Sequence, residues 1–243
     1  MSDPAASVEP SRPAPDETRS VVKAAGLIGV ATFSSRLLGF VRDMVLARLF
    51  GATPAADAFF VAYRIPNLLR ELFAEGSMSA AFIPVFTEYH TLKTKRDAWE
   101  LASATFTTLL TIVTAVTLLG ILAAPGIVWL LAPGFRGSPD KLALTTLLTQ
   151  MMFPYLIFIS LAALAMGILN SLRAFAAPAF SPVFFNIFTI ACMMFLSPWL
   201  PEPIIGVAIG IVVGGVAQFA MQLPGLKGRG MLFGLRFQPG HPG

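Results

Sequence analysis

Nine charged side chains stand among otherwise largely apolar residues between positions 36 and 75: Arg36, Arg42, Asp43, Arg48, Asp57, Arg64, Arg70, Glu71 and Glu75. On a biological insertion scale, an arginine or aspartate at the centre of a membrane helix costs roughly 2.5–3.5 kcal/mol. Such residues persist in lipid only where they face a water-filled cavity, pair with one another or reach an interface. Every basic residue in this segment is arginine. Its planar fork binds phosphate oxygens two at a time and loses little freedom in doing so. Several arginines with a few compensating carboxylates therefore suit an anionic head group such as a phosphate or pyrophosphate.

Position refines that expectation. Arg36 lies mid-span, where reaching an interface is hard, whereas Arg48 lies at the end of its apolar stretch and can snorkel. Arg36 and Asp43 are seven residues apart and share one helical face, as do Asp57 and Arg64. Two turns separate the backbones of each pair by roughly 10 Å, a spacing that suits long side chains meeting in a polar groove. Glu71 trims the charge of its neighbour Arg70. Arg36, Arg42 and Arg70 are the expected lining of a cavity. Gly39 and Pro66 offer places where a helix can bend and expose backbone to it.

Other chemistry is not supported. The chain has no P-loop, HExxH, GxSxG or cysteine cluster, and Glu71 and Glu75 share a helical face without a partner motif. Its single cysteine, Cys192, sits in an apolar run and reads as a buried small residue. His90 and His241 are far apart in polar segments, which is not a metal-ligand spacing. No enzyme, metal site or cofactor is expected.

The elements that must hold these charges belong to a membrane protein. Of 243 residues, 56% are hydrophobic and 12% charged, against about a quarter charged in soluble domains; mean hydropathy is +0.74. Six apolar stretches run at about 22–50, 56–89, 102–124, 142–169, 178–196 and 204–223. The second is too long for one straight crossing of a core about 30 Å thick and too short for two. It is predicted to be one broken helix, with Pro66, Gly76 and Pro84 as candidate breaks. With both ends cytoplasmic, the inside segments hold Arg12, Arg19, Lys23, Lys93, Lys95, Arg96, Arg173, Lys227, Arg229 and Arg236. The outside loops hold only Arg136 and Lys141. That asymmetry is the positive-inside pattern. It explains the net charge of +4 without a nucleic-acid partner. The expected fold is all-α and polytopic. Residues 1–20 form a disordered cytoplasmic tail without a signal peptide, 21–226 a six-helix transmembrane bundle, and 227–243 a basic cytoplasmic segment.

Two blocks carry a resemblance: FSSRLLGFVRDMVLARLFG (33–51) and DAFFVAYRIPNLLRELFAEGSMSAAFIPVF (57–86). Shorter agreements occur at LLAPGF (130–135), through 153–186 and at VGGVAQFAMQLPGLKGRGM (213–231). The chain resembles the MurJ (MviN) family of lipid II flippases, within the multidrug/oligosaccharidyl-lipid/polysaccharide exporter superfamily, from about Val22 to Phe237. That resemblance implies transport of the lipid-linked peptidoglycan precursor from the cytoplasmic to the periplasmic leaflet of the bacterial inner membrane. In the family, two lobes of six helices face a cationic cavity; this chain corresponds to the N-lobe. The family motif carries substrate binding onto Arg36, Arg42, Asn67 and Arg70, and charge compensation onto Asp43, Asp57 and Glu75. The implied partners are lipid II or a similar polyprenyl-pyrophosphate glycolipid, membrane lipids, and a second lobe, in the same polypeptide or separately encoded. The alternatives are a related exporter of another such glycan or of a drug, and a non-transporting membrane scaffold.

Overall fold

The computed structural model describes residues 15–71 and 78–231. Glu75 and Gly76 lie outside the described residues, as do residues 1–14 of the expected tail and the segment carrying Arg236 and His241. The described chain is helical, without strands. Its helices are α1 (Pro15–Phe50), α2 (Pro54–Arg70), α3 (Met78–Leu92), α4 (Lys95–Leu131), α5 (Pro139–Met152), α6 (Tyr155–Ser171), α7 (Ala176–Phe195), α8 (Ile204–Ala220) and α9 (Leu223–Lys227). Among the described residues, four helical segments are long and apolar enough to cross a membrane: Lys95–Leu131, Pro139–Ser171, Ala176–Trp199 and Ile204–Lys227.

The sequence predicts six helices; nine are described, because the fourth stretch is interrupted, the second is described in two parts, and a short α9 follows the sixth. The fourth breaks at Phe153–Pro154 between α5 and α6, where Pro154 has no N–H to continue the ladder. The sixth breaks ahead of Pro224, in the first turn of α9. The second is described in two parts, α2 and α3, with residues 72–77 between them outside the described residues. Pro66 and Pro84, both candidate breaks, lie inside continuous helix. Membrane helices accommodate proline when neighbouring groups take up the freed backbone carbonyl. Gln150 does this at Pro125 of α4: its Nε2 donates to Ile121 O at 3.1 Å, the carbonyl that Pro125 leaves without a donor. Likewise Ser181 Oγ donates at 2.9 Å to Pro178 O, which Pro182 cannot reach.

Helix starts are set by local chemistry. α1 begins at Pro15, inside the segment expected to be a tail, with proline in the first turn, where its missing N–H has no cost. Gly51, at φ +53°, turns the chain out of α1, and Thr53 then caps α2 by accepting from Ala56 N at 3.3 Å. At α4, Thr94 and Asp97 cap each other reciprocally, each through a 3.2 Å bond.

The packing follows from this order. α2 lies along α5 and α3 along α6, so the two interrupted segments run side by side in the same direction. α8 packs closely on α7 through Gly206, Gly210 and Gly214, spaced by four on one face. A Cβ at Gly214 would stand 2.8 Å from Phe185 O, and one at Gly206 would stand 2.9 Å from the Ser197 backbone. Small residues let two helix backbones meet where lipid supplies no hydrophobic drive. Thr189 Oγ1 adds a polar tie, donating to Gly210 O at 3.1 Å and to its own Phe185 O at 2.8 Å. α1 is attached differently: α7 is its main neighbour, and Phe33, Leu37 and Phe40 stay exposed on the face that also carries Arg36.

Replacing Gly214 with leucine forces α7 and α8 apart. We expect a loss of about 1–3 kcal/mol of stability, the usual cost of overpacking, read as a lower Tm in detergent. Gly126→Leu, where nothing lies within 4 Å, leaves Tm unchanged. Equal melting of the two variants contradicts the close α7–α8 contact.

Candidate functional site: arginines converging inside the bundle

Arg42 projects from α1 into the corner between α1, α2 and α7, with a largely buried side chain. Three of its five N–H donors are committed. Nη2 and Nε donate to Asp43 Oδ1 at 2.8 and 3.0 Å, and Nη1 donates to Asn186 Oδ1 on α7 at 3.4 Å. The guanidinium also lies 5.9 Å from the centre of the Phe185 ring. Asn186 is itself anchored, since Nδ2 donates to Ser35 O on α1 and to Pro182 O, each at 3.2 Å. One amide thus joins α7 to α1 twice and sets the position of the arginine.

Arg70 closes α2. Its Nε donates to Asn67 Oδ1, one turn earlier, at 3.0 Å, and Asn67 Nδ2 donates to Glu71 Oε1 at 3.3 Å. The Arg70–Glu71 ion pair is loose, at 3.9 Å. Asn67 therefore orients the guanidinium, and the two residues border a cavity of about 340 Å³ between α2, α6, α7 and α8. A smaller space of about 50 Å³ adjoins Arg42 and Asp43. Tyr63 borders both and lies within electrostatic reach of Arg42, Arg70 and Asp43.

The other expected site residues stand elsewhere. Arg36 is exposed and has no ion pair or side-chain hydrogen bond among the described residues. Asp43 is turned onto its neighbour Arg42 and not onto Arg36, with which it shares a helical face. Asp57 pairs with Lys141 Nζ at 2.7 Å, pinning the start of α2 to the start of α5; it makes no pair with Arg64. Glu75 lies outside the described residues. Both ends of the bundle carry interfacial aromatic–basic pairs. Lys93 stands over Tyr89 at 3.6 Å at one end, and Arg136 over Trp129 at 3.7 Å at the other.

A search confined to charges passes over Asn186, Tyr63, Gln218 and Gln222. All four are polar side chains inside apolar runs, which is the signal that marks them.

Fold and site together define a polytopic α-helical membrane protein that holds arginines inside its bundle. A family profile described as lipid II flippase MurJ matches residues 46–243. The chain belongs to this family. A probable lipid II flippase MurJ of Vibrio cholerae is 44% identical over 222 residues, covering 88% of this chain and 42% of that protein. The lipid II flippase MurJ of Burkholderia cenocepacia is 42% identical over 196 residues, covering 81% and 38%. A solved structure of lipid II flippase MurJ in an inward closed conformation superposes with a TM-score of 0.68 at 30% identity, covering 86% of this chain and 43% of that one. The chain spans about two-fifths of the length of the curated relatives it matches.

Asn186→Leu removes the acceptor of Arg42 and the donor to Ser35 O together. We expect faster amide hydrogen exchange in α1 around Ser35 to Arg42, with exchange in α8 unchanged. Unaltered protection of α1 contradicts the anchoring role.

Proposed function

We propose that this chain forms the first lobe of a flippase that carries lipid II from the cytoplasmic to the periplasmic leaflet of the bacterial inner membrane. The lobe crosses the membrane six times: α1, the α2–α3 pair, α4, the α5–α6 pair, α7 and α8. Both ends are cytoplasmic. The side-by-side course of α2–α3 and α5–α6 supports reading each pair as one broken span. The chain order supports the orientation: Lys93, Lys95, Arg173 and Lys227 fall at connections on one side, and Arg136 and Lys141 on the other.

The observation that carries the function is that Arg42 and Arg70, from different helices, line two neighbouring cavities that share Tyr63. The lipid pyrophosphate binds there. Arg42 already holds a carboxylate oxygen, so a phosphate oxygen replaces Asp43 by exchanging one anion for another, without exposing a bare guanidinium to lipid. Asn67 keeps Arg70 oriented during the exchange. Exposed Arg36 receives the head group first, and Asp57 and Glu75 balance the charge of the empty lobe. Transport follows from alternating access between this lobe and a second one, with the ligand favouring one arrangement over the other.

Arg70→Ala and Arg36→Ala, each as the sole copy of the full-length gene, should abolish cell-wall synthesis while the protein still accumulates in the membrane. Normal growth with either variant overturns the assignment of that arginine to substrate binding.

A further inference from the structure

The cavity beside Arg70 has a lining that a pyrophosphate does not need. Besides the arginine, the lining includes two amides, Gln218 from α8 and Gln222 from the turn that follows it. Gln222 is fully buried, and its Nε2 is spent on Ala162 O at 3.1 Å and Gln218 O at 3.4 Å. Its Oε1 has no hydrogen-bond partner, a costly state for a buried acceptor. The half-buried Gln218 amide makes no side-chain hydrogen bond among the described residues. The rings of Tyr63, Tyr155 and Phe185 also line it, with Ile159 and Met166 among its apolar residues.

We infer that this cavity is a sugar subsite, which takes the first sugar ring of the lipid-linked head group while Arg70 holds the adjoining phosphate. The inference rests on the pyrophosphate reading above and deepens it. Neutral amides that both donate and accept match vicinal hydroxyls, and aromatic rings match the apolar face of a pyranose. An acyl chain would leave both amides unpaired in a dry cavity. A second phosphate would find no further arginine there. The volume of about 340 Å³ is at the lower end for a ligand pocket and suits one ring, not a whole disaccharide with its peptide. Asn67 and Arg70 at the end of α2 face the end of α8, which sets phosphate and ring side by side.

The test compares two probes on the full-length protein in nanodiscs: lipid II, and the same polyprenyl pyrophosphate without sugar. The unmodified protein should bind lipid II more tightly. Gln218→Leu should weaken lipid II about tenfold, the effect of losing a hydrogen bond or two, and leave the sugar-free lipid unchanged. Arg70→Ala should weaken both. Gln218→Asn, which keeps the amide, should retain part of the preference, an outcome that a purely structural role does not give. If Gln218→Leu affects neither lipid or both equally, the sugar subsite is wrong while the pyrophosphate reading stands. Equal affinity of the unmodified protein for the two lipids has the same meaning. If it binds neither, the pyrophosphate reading fails and the subsite falls with it.

Discussion

A guanidinium inside a bundle that faces lipid on its outer surface must be neutralised where it sits, and the corner formed by α1, α2 and α7 is built around that requirement. Arg42 uses one neighbour, Asp43, for charge and one distant residue, Asn186, for geometry. Because Asn186 also donates to Ser35 O, the group that steadies the arginine also fastens α1 to the rest of the lobe. The site and the attachment of α1 therefore share one small hydrogen-bond network. A substrate anion that draws Arg42 away from Asp43 acts on that network, and through it on the helix whose main neighbour is α7.

The remainder of the lobe is held more firmly. α7 and α8 meet backbone to backbone along Gly206, Gly210 and Gly214, and the α5–α6 segment Pro139–Ser171 is the most enclosed of the candidate spans. Phe153, at the break between α5 and α6, is fully buried against Gly120, where even a methyl group has no room. α1 rests on this frame of α5 to α8 mainly through α7. Arg70 and its cavity lie where α2 meets α6, α7 and α8.

Much of this was legible in the sequence because it follows from composition and short-range spacing. The apolar stretches are the helices, and Asn67 and Arg70, three residues apart, meet as one helical turn requires. The charge excess in the first two stretches leads to two arginines that converge. What was not legible depends on distance along the chain. The pairing of Asp57 with Lys141 spans 84 positions and leaves no periodic trace. Helical geometry gives Asp43 the same face as Arg36 but names no direct partner, and it is the long Arg42 side chain that folds back onto Asp43. Asn186, Gln218 and Gln222 carry no charge, and an inventory of charges does not see them. The break at Phe153–Pro154 falls inside a run whose hydropathy is continuous.

The central claim is that Arg42 and Arg70 both contact the pyrophosphate. Solid-state NMR of the full-length protein with ¹⁵N-labelled arginine and bound lipid II measures it directly, through ¹⁵N–³¹P dipolar dephasing. Two guanidinium signals, lost individually in Arg42→Lys and Arg70→Lys, should dephase as expected for N–P distances of about 4 Å or less, the range of hydrogen-bonded phosphate. If lipid II binds and neither signal dephases, the pyrophosphate lies elsewhere and the account of this site is wrong.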